Sequence, residues 1–433
     1  MDKFNRKTSR KLGFNEAITK CIGELGEGHL NIMGFACLHG FFDKSIFSEA
    51  LQFVVKKQPL LRARLVEREG ENDEFEILEE LPVLPVEYIP LNEPINIKDF
   101  IEKQQQRFIR SEQTPLWRCV VLYSEEKTFI FSIIHYLITD GKSSFFVLYD
   151  TLAFYEKLYR KENIDIKAYD LLPNFEQIIN VSQLAEMPDF FASNLIVPNH
   201  TFAAKTENRL SKHIFEEISE DIVTKIQVQC NKNNITINAL MYAALFLSLD
   251  YSNYEQEEII FGTPIDIRNE CIPKVPYDYL GCYRAFVQTK INIKQNDIWK
   301  IAKQYNSDLW ESIEQLKINF EKEYNKKSIY EEWNMYKELI EKQAKSALYL
   351  QLTFSGNLSI NNPNQPLKLV SMHGATIQKL GVTLINVHMS ILNGKIYFTI
   401  SFSEPLIMEE QILQIITRFK ALLVRIADDS SNL

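Results

Sequence analysis

One stretch dictates a strand, a turn and a helix in immediate succession. Phe129-Ile130-Phe131-Ser132-Ile133-Ile134 is an apolar run of strand type. His135-Tyr136-Leu137-Ile138-Thr139-Asp140-Gly141 follows it, and Lys142-Ser143-Ser144-Phe145-Phe146-Val147-Leu148-Tyr149 opens an amphipathic helix. Any fold of this chain is therefore built around a unit whose turn holds a histidine, a tyrosine, an aspartate and a glycine at fixed positions.

The rest of the chain supplies ample material to bury that unit. Its 433 residues are enough for two or more substantial cores. With 45% hydrophobic and 24% charged residues, the composition is that of a globular protein. The net charge of −9 argues against a nucleic-acid or anionic-membrane surface as the main task, and an anionic co-substrate would need a local basic pocket. Cys21, Cys37, Cys119, Cys230, Cys271 and Cys282 form no C-x-x-C pair and mostly sit in apolar runs, so buried free thiols and a reducing compartment are expected. Residues 1–13 lack the apolar core of a signal peptide, and no run approaches the roughly 18 apolar residues of a membrane span. The cytoplasm is the expected location.

Strands and helices alternate through the N-terminal half. Leu30 to Phe42 reads as a strand, and Asp43 or Ser45 can cap a helix with the stripe Ile46, Phe47, Ala50, Leu51, Val54 and Val55, which Pro59 stops. Leu61 to Val66 and Glu74 to Leu78 read as paired strands across the turn 68–72. A helix over Ile97 to Phe108 and a hairpin of Leu116 to Tyr123 with Thr128 to Ile134 lead into the turn. From Lys161 to Glu207 periodicity is lost and prolines are scattered. The second half predicts a strand at Leu210 to Phe215, helices at Ser219 to Lys232 and Ile237 to Leu249, and short strands at Ile259 to Pro264 and Ala285 to Ile293. Helices at Asp297 to Glu321 and Ile329 to Ala344, strands at Leu348 to Leu358, Leu367 to Met372 and Gly381 to Ser401, and a last helix over Met408 to Ile426 complete it. The division that follows is an N-terminal lobe at 1–170, a connecting segment at 171–207 and a C-terminal lobe at 208–433. Each lobe is a mixed sheet covered by helices, an α/β fold.

The turn resembles the His-His-x-x-x-Asp-Gly motif of the acyltransferase superfamily that contains chloramphenicol acetyltransferase, condensation domains and alcohol acetyltransferases. Other blocks fall in the same order. Gln58-Pro59-Leu60-Leu61-Arg62-Ala63-Arg64-Leu65 resembles the H-P-x-L-R-A-R-F block, and Pro115-Leu116-Trp117-Arg118 the P-L-W-R block. Asp266-Ile267-Arg268 is similar to the V-D-x-R strand end, Leu280-Gly281-Cys282-Tyr283 sits where the family has L-G-N, and Ser355-Gly356-Asn357-Leu358 resembles a late S-N-x-G block. The resemblance covers nearly the whole chain. It implies two chloramphenicol-acetyltransferase-like lobes in a V-shaped pseudo-dimer, with the turn opening into a tunnel between them. An acyl thioester would enter on one side and an acceptor on the other. The second His of the motif is the catalytic one in the family, and here that position is Tyr136.

Acyl transfer needs a nucleophile that loses a proton, stabilisation of the tetrahedral oxyanion and alignment of both substrates. Histidine suits the first task, whereas a phenol near pKa 10 is protonated at neutral pH and serves better as a donor. Tyr136 is then a tunnel-lining donor or a space filler, and the intact pattern around it favours the donor. His135 is a satisfied core histidine or a compensating base. Adjacent residues of an extended chain point opposite ways, so His135 and Tyr136 should not both face the tunnel. The resemblance pairs Asp140 with Arg268 in a structural role. Gly141 would supply an unusual backbone angle or close substrate approach. Ser355 and Asn357 are candidate oxyanion or acceptor contacts, or simply a turn between strands. His388 faces either solvent or the tunnel, where it would be a backup base. His29, His39, His200, His213 and His373 show no metal-ligand spacing, so no metal is expected. There is no G-x-S-x-G elbow and no G-x-x-x-x-G-K-[ST] loop.

The function expected is an acyltransferase or stand-alone condensation-type enzyme. It would move an acyl group from coenzyme A or a carrier-protein phosphopantetheine thioester, used as co-substrate with no tightly bound cofactor, to a hydroxyl or amine of a small-molecule acceptor. An acyl or peptidyl carrier protein is the expected protein partner, and a monomer or weak oligomer the expected state. Two alternatives stand beside it: a catalytically silent scaffold that binds a thioester or carrier protein, and a changed reaction, cyclisation or dehydration, in the same tunnel.

Overall fold

The computed structural model describes residues 8–68, 72–91, 95–179, 204–251, 257–314, 326–341, 348–358, 366–381 and 383–428. The turn expected at 68–72, most of the connecting segment 171–207, and the C-terminal ends of the helices expected at Asp297 to Glu321 and Ile329 to Ala344 lie outside them. In chain order the N-terminal part runs β1 (Ser9–Lys11), α1 (Phe14–Leu25), β2 (Leu30–Gly40), α2 (Lys44–Lys57), β3 (Ala63–Val66), β4 (Glu74–Ile77), β5 (Val86–Pro90), α3 (Ile97–Gln105), β6 (Trp117–Tyr123), β7 (Lys127–His135) and α4 (Gly141–Tyr159). It continues with α5 (Phe175–Ile178), β8 (Leu210–Ile218), α6 (Glu220–Asn233), α7 (Ile237–Ser248), β9 (Glu258–Asp266), β10 (Arg284–Asn292), α8 (Ile298–Glu314), α9 (Lys326–Glu341), β11 (Leu348–Asn357), β12 (Leu367–Gln378), β13 (Thr383–Leu392), β14 (Lys395–Glu404) and α10 (Glu409–Asp428).

The elements form where the sequence pattern demands them. In α2 the buried residues are Phe47, Ala50, Leu51, Val54 and Val55, one helical face, and the Asp43 carboxylate caps the helix by accepting from the Ser45 and Ile46 N–H groups. In α10 the stripe Ile412, Ile415, Ile416, Phe419, Leu423 and Ile426 is buried against α6 and α7. The apolar α7 is buried nearly all round. The run Gly381 to Ser401 is a hairpin of β13 and β14 rather than one strand, because Asn393-Gly394 supplies two positive φ values, 50° and 79°.

Three sheets result. A five-stranded sheet has the order β12-β2-β7-β6-β5, a six-stranded sheet the order β10-β9-β11-β13-β14-β8, and a small sheet the order β1-β4-β3. The five-stranded sheet draws β12 from far along the chain. It pairs antiparallel with β2 from Leu367↔Gly40 to Gln378↔Leu30, six residues beyond the expected end at Met372. A strand inside residues 208–433 is thus hydrogen-bonded into the N-terminal sheet, and it also packs against β13, β14 and β8.

The six-stranded sheet has two unlike faces. Leu352, Ile385, Val387, Phe398, Ile400 and Phe402 point into the apolar core shared with α6, α7, α8 and α10. Their strand neighbours Gln351, Asn386, His388, Thr399, Ser401 and His213 point the other way, and they too are buried. Part of this second face is covered by β12, so a polar seam lies between two sheets.

Candidate active site at the junction of β7 and α4

The turn begins where β7 ends. His135 pairs with Asn31 of β2 and is the last residue of β7, and Tyr136–Ile138 form a single 3₁₀ turn. The His135 Nδ1 accepts the Leu137 N–H at 3.1 Å. A neutral imidazole whose Nδ1 accepts carries its proton on Nε2, so neither nitrogen keeps a free lone pair for a substrate proton. Burial also pushes this imidazole down to about 4. The ring lies beside Gly23 of α1. The geometry is that of a buried core histidine whose Nδ1 holds the turn.

Asp140 caps α4. Its Oδ1 accepts the Ser143 N–H at 2.8 Å, and Ser143 Oγ accepts the Asp140 N–H at 3.1 Å, a reciprocal box. The other oxygen, Oδ2, accepts from Arg268 Nη2 at 2.8 Å and from the Tyr283 N–H at 3.0 Å. Arg268 also donates to Asp266 Oδ1 at 2.9 Å and to the Tyr279 carbonyl at 3.2 Å. Burial works against the charge on Arg268, but Asp140 and Asp266 outweigh it and raise its pKa. This cluster ties the β7–α4 junction to the segment between β9 and β10. Gly141 has no positive φ, and a Cβ there would meet only the Thr353 methyl at 3.5 Å, an ordinary contact. The unusual backbone angle, one of the two roles expected of it, is absent, and the packing of α4 on β11 leaves room for a Cβ.

Tyr136 packs on Leu30, Ile32 and Ile22. The Arg284 guanidinium, at the start of β10, lies 4.6 Å from the Tyr136 ring centroid. Burial raises the phenol above its ordinary range, and the Arg284 cation pulls it back in part. Tyr136 is therefore a protonated donor at neutral pH. Arg284 itself has no carboxylate within ion-pair distance among the described residues, and its Nε is buried without a partner.

His388, on the polar face of β13, is buried, with Nε2 2.8 Å from Thr376 Oγ1. It thus faces the seam rather than solvent. Ser355 and Asn357 lie within β11, not in a turn between strands. The register with β13 breaks between Phe354 and Asn357, where Gly356 has a φ of 77°. Ser355 is half-buried two residues beyond Thr353, and Asn357 is exposed. Tyr136, Asp140, Gly141 and Arg268 are thus gathered at the junction, and His388 lies on the strand beside Thr353, which meets Gly141. Sequence reasoning passed over Thr376, Arg284, Ser143 and Tyr283. The one usable signal was Arg284, a lone cation directly after Leu280-Gly281-Cys282-Tyr283 and before an apolar strand.

Among the described residues no group of three or more His, Cys, Asp or Glu is placed to hold a metal ion, and no helix is long and apolar enough to cross a membrane.

With this geometry in place, comparison with known proteins gives the family. The chain belongs to the condensation-domain family, whose model matches residues 26–433. Bacitracin synthase 3 of Bacillus licheniformis is 19% identical over 294 residues, 64% of this chain; the match spans only 4% of that synthase's length. Among solved structures, TRI3 trichothecene 15-O-acetyltransferase from Fusarium sporotrichioides superposes with a TM-score of 0.72 at 12% identity, covering 97% of this chain and 95% of that one. The first condensation domain of the CDA synthetase gives a TM-score of 0.71 at 10% identity, covering 99% and 98%. These likenesses establish the α/β fold of condensation domains and related acyltransferases.

Proposed function

We propose that this chain transfers an acyl group from a thioester, carried by coenzyme A or by the phosphopantetheine arm of a carrier protein, to a hydroxyl or amine. The observation that carries the reading is Tyr136. Directly after β7, at the position that the resemblance aligns with the motif's second histidine, stands a protonated phenol with the Arg284 cation 4.6 Å from its ring. Such a phenol is suited to stabilise developing negative charge, not to remove a proton. In the reaction the acceptor's lone pair forms a bond to the thioester carbon, and the carbonyl oxygen becomes the oxyanion that Tyr136 donates to. The C–S bond then breaks, and the departing thiolate takes the proton the acceptor loses. The two substrates need no general base if positioning and the thioester's reactivity suffice, at a cost of about 10²–10⁴-fold in rate.

A second reading is a silent scaffold that binds a thioester or carrier protein. It is favoured by His135, whose Nδ1 accepts the Leu137 N–H and so is not free to take a substrate proton. Tyr136→Phe separates the two. The acyltransferase loses turnover with unchanged thioester binding, and the scaffold loses nothing.

A further inference from the structure

This inference rests on the acyl-transfer reading of Tyr136 and concerns the cation beside it. Arg284 opens β10 directly after Leu280-Gly281-Cys282-Tyr283. Its guanidinium lies 4.6 Å from the Tyr136 ring centroid and 4.7 Å from that of Phe286. Two aromatic rings thus hold the fork without using its N–H groups. Its hydrogen bonding is thin: Nη2 reaches Thr19 Oγ1 of α1 at 3.5 Å, and Nε is buried without a partner. The side chain as a whole is half-buried rather than sealed.

Two other arginines near Tyr283 show what Arg284 lacks. Arg10 binds both oxygens of Glu16 at 2.7 Å, and Arg268 holds Asp140 and Asp266 at 2.8 and 2.9 Å. Arg284 has no such carboxylate among the described residues. Asp140 acts on it through space, but the oxygens of Asp140 are taken by Arg268, Tyr283 and Ser143. Tyr136 and Cys282 also face Arg284 and are neutral at pH 7, because burial raises the phenol and pushes the thiol up to about 12. A positive charge held partly out of water with no counter-charge is costly, and a ligand that brings the counter-charge recovers that cost.

The chemistry of the fork narrows the ligand. Among the described residues no other cation lies over Tyr136 or Phe286. A single guanidinium matches one negative charge shared by two coplanar oxygens, whereas a phosphate dianion calls for more positive charge than stands here.

We infer that Arg284 binds the carboxylate of an acidic substrate beside the Tyr136 phenol, so that this site selects an acidic acceptor or an acidic acyl group. The carboxylate belongs either to the acceptor, as in a free amino or hydroxy acid, or to the acyl chain, as in the half-thioester of a dicarboxylic acid. In both cases the guanidinium donates two parallel N–H bonds to it and keeps the reacting atom on a short tether from the phenol. Arg284 sets specificity and takes no part in the proton's path.

The test has two arms on the full chain. In the first, arginine-selective ¹⁵N labelling follows the Arg284 Nε–H resonance, assigned by its loss in Arg284→Lys. Acetate, succinate, succinamide and inorganic phosphate are titrated in turn. Saturable shifts with the two carboxylates and none with succinamide are expected. No shift with either carboxylate, an equal shift with succinamide, or a shift with phosphate alone would overturn the inference. In the second arm, kcat/KM is compared within matched pairs. Amino acids are set against their carboxamides as acceptors from acetyl-coenzyme A, and succinyl- against propionyl-coenzyme A as donors to a neutral alcohol and amine pool. The pair that carries the source of the carboxylate should favour the acidic member about 10–100-fold, as for a hydrogen bond to a charged group. That preference should shrink to within about threefold in Arg284→Gln and persist in part in Arg284→Lys, which keeps the charge but not the fork. A wild type with no preference in either pair, or the full preference retained in Arg284→Gln, would overturn the inference. If the wild type transfers nothing to any acceptor, the acyl-transfer reading fails, while the ¹⁵N shifts still decide whether Arg284 binds a carboxylate.

Discussion

Two buried polar clusters flank the 3₁₀ turn, and they are built on opposite plans. On one side Asp140, Arg268, Ser143 and Asp266 are charged or charge-assisted, and the Asp140 carboxylate is saturated by Arg268, Tyr283 and Ser143. On the other side Tyr136, Thr376, His388, Ser401 and His213 are all uncharged, and hydrogen-bonding capacity is left over: His213 Nε2, Thr399 Oγ1 and Asn386 Nδ2 are buried without a partner. A cluster of opposed charges with a saturated carboxylate serves to hold, although Arg268 Nε there is buried without a partner. A cluster with spare donors and acceptors costs stability and is retained where something is to be bound or turned over.

The largest effect should come from breaking the first cluster. Asp140→Asn removes one partner of a buried ion pair and leaves Arg268 short of a counter-charge. Denaturant unfolding should show a loss of roughly 3–5 kcal/mol, toward the lower end because Asp266 remains. A loss under about 1 kcal/mol would mean the cluster is not what holds the junction.

Tyr136→Phe attacks the second cluster and should do the reverse. Turnover should fall about 10²–10³-fold, as for removal of one oxyanion donor. Unfolding stability should move by only about 1 kcal/mol, the net value of one hydrogen bond. A large loss of stability with unchanged turnover would exchange the roles of the two clusters.

A third carboxylate sharpens the contrast, because it lacks a cation of its own. Glu176 in α5 accepts the Asn15 N–H at 2.7 Å, and its other oxygen is buried without a partner. Burial and the nearby Glu16 push it from 4.5 up to about 7. A raised carboxyl favours the folded protein in its protonated form, so this contribution is full below about pH 4.5 and lost as the pH rises to about 7. His135, His213 and His388, all lowered by burial, act with the opposite sign as the pH falls below 6.5. The difference between wild type and Glu176→Gln therefore isolates the carboxyl. Wild-type stability should decline relative to the variant between pH 4.5 and 7, and parallel curves would remove Glu176 from the account.

The smallest effect should be at Asn357. It lies exposed at the far end of β11, so Asn357→Ala should change stability by no more than about 0.5 kcal/mol and turnover by less than about twofold. A large loss of turnover would extend the site along β11.

These residues also mark how far the sequence could be read. The β7–α4 unit was legible because an apolar run and an amphipathic stripe meet there. The Asp140–Arg268 pair spans 128 positions, and only the family resemblance pointed to it. α1 escaped notice, and part of its buried face is charged. Glu16, Thr19 and Lys20 are buried there, Glu16 on Arg10 and Lys20 on Asp73 and Glu24, beside the apolar stripe Phe14, Ala17, Ile18, Cys21, Ile22 and Leu25 that was there to be read. Thr376 was lost with the end of β12, where His373-Gly374-Ala375-Thr376 lacks branched apolar residues. The seam itself was ambiguous: alternation of apolar and polar residues reads the same whether the polar face meets water or another sheet. His388 could not be assigned a face until β12 was seen to cover it.

The most direct test of the central claim is thiol release from a panel of acyl-coenzyme A and acyl-carrier thioesters with a mixed alcohol and amine acceptor pool. Wild type, Tyr136→Phe and Tyr136→His are compared. The account predicts acceptor-dependent thiol release by the wild type, falling about 10²–10³-fold in Tyr136→Phe. Silence in the wild type with activity gained in Tyr136→His would contradict it, showing a site whose phenol performs no chemistry.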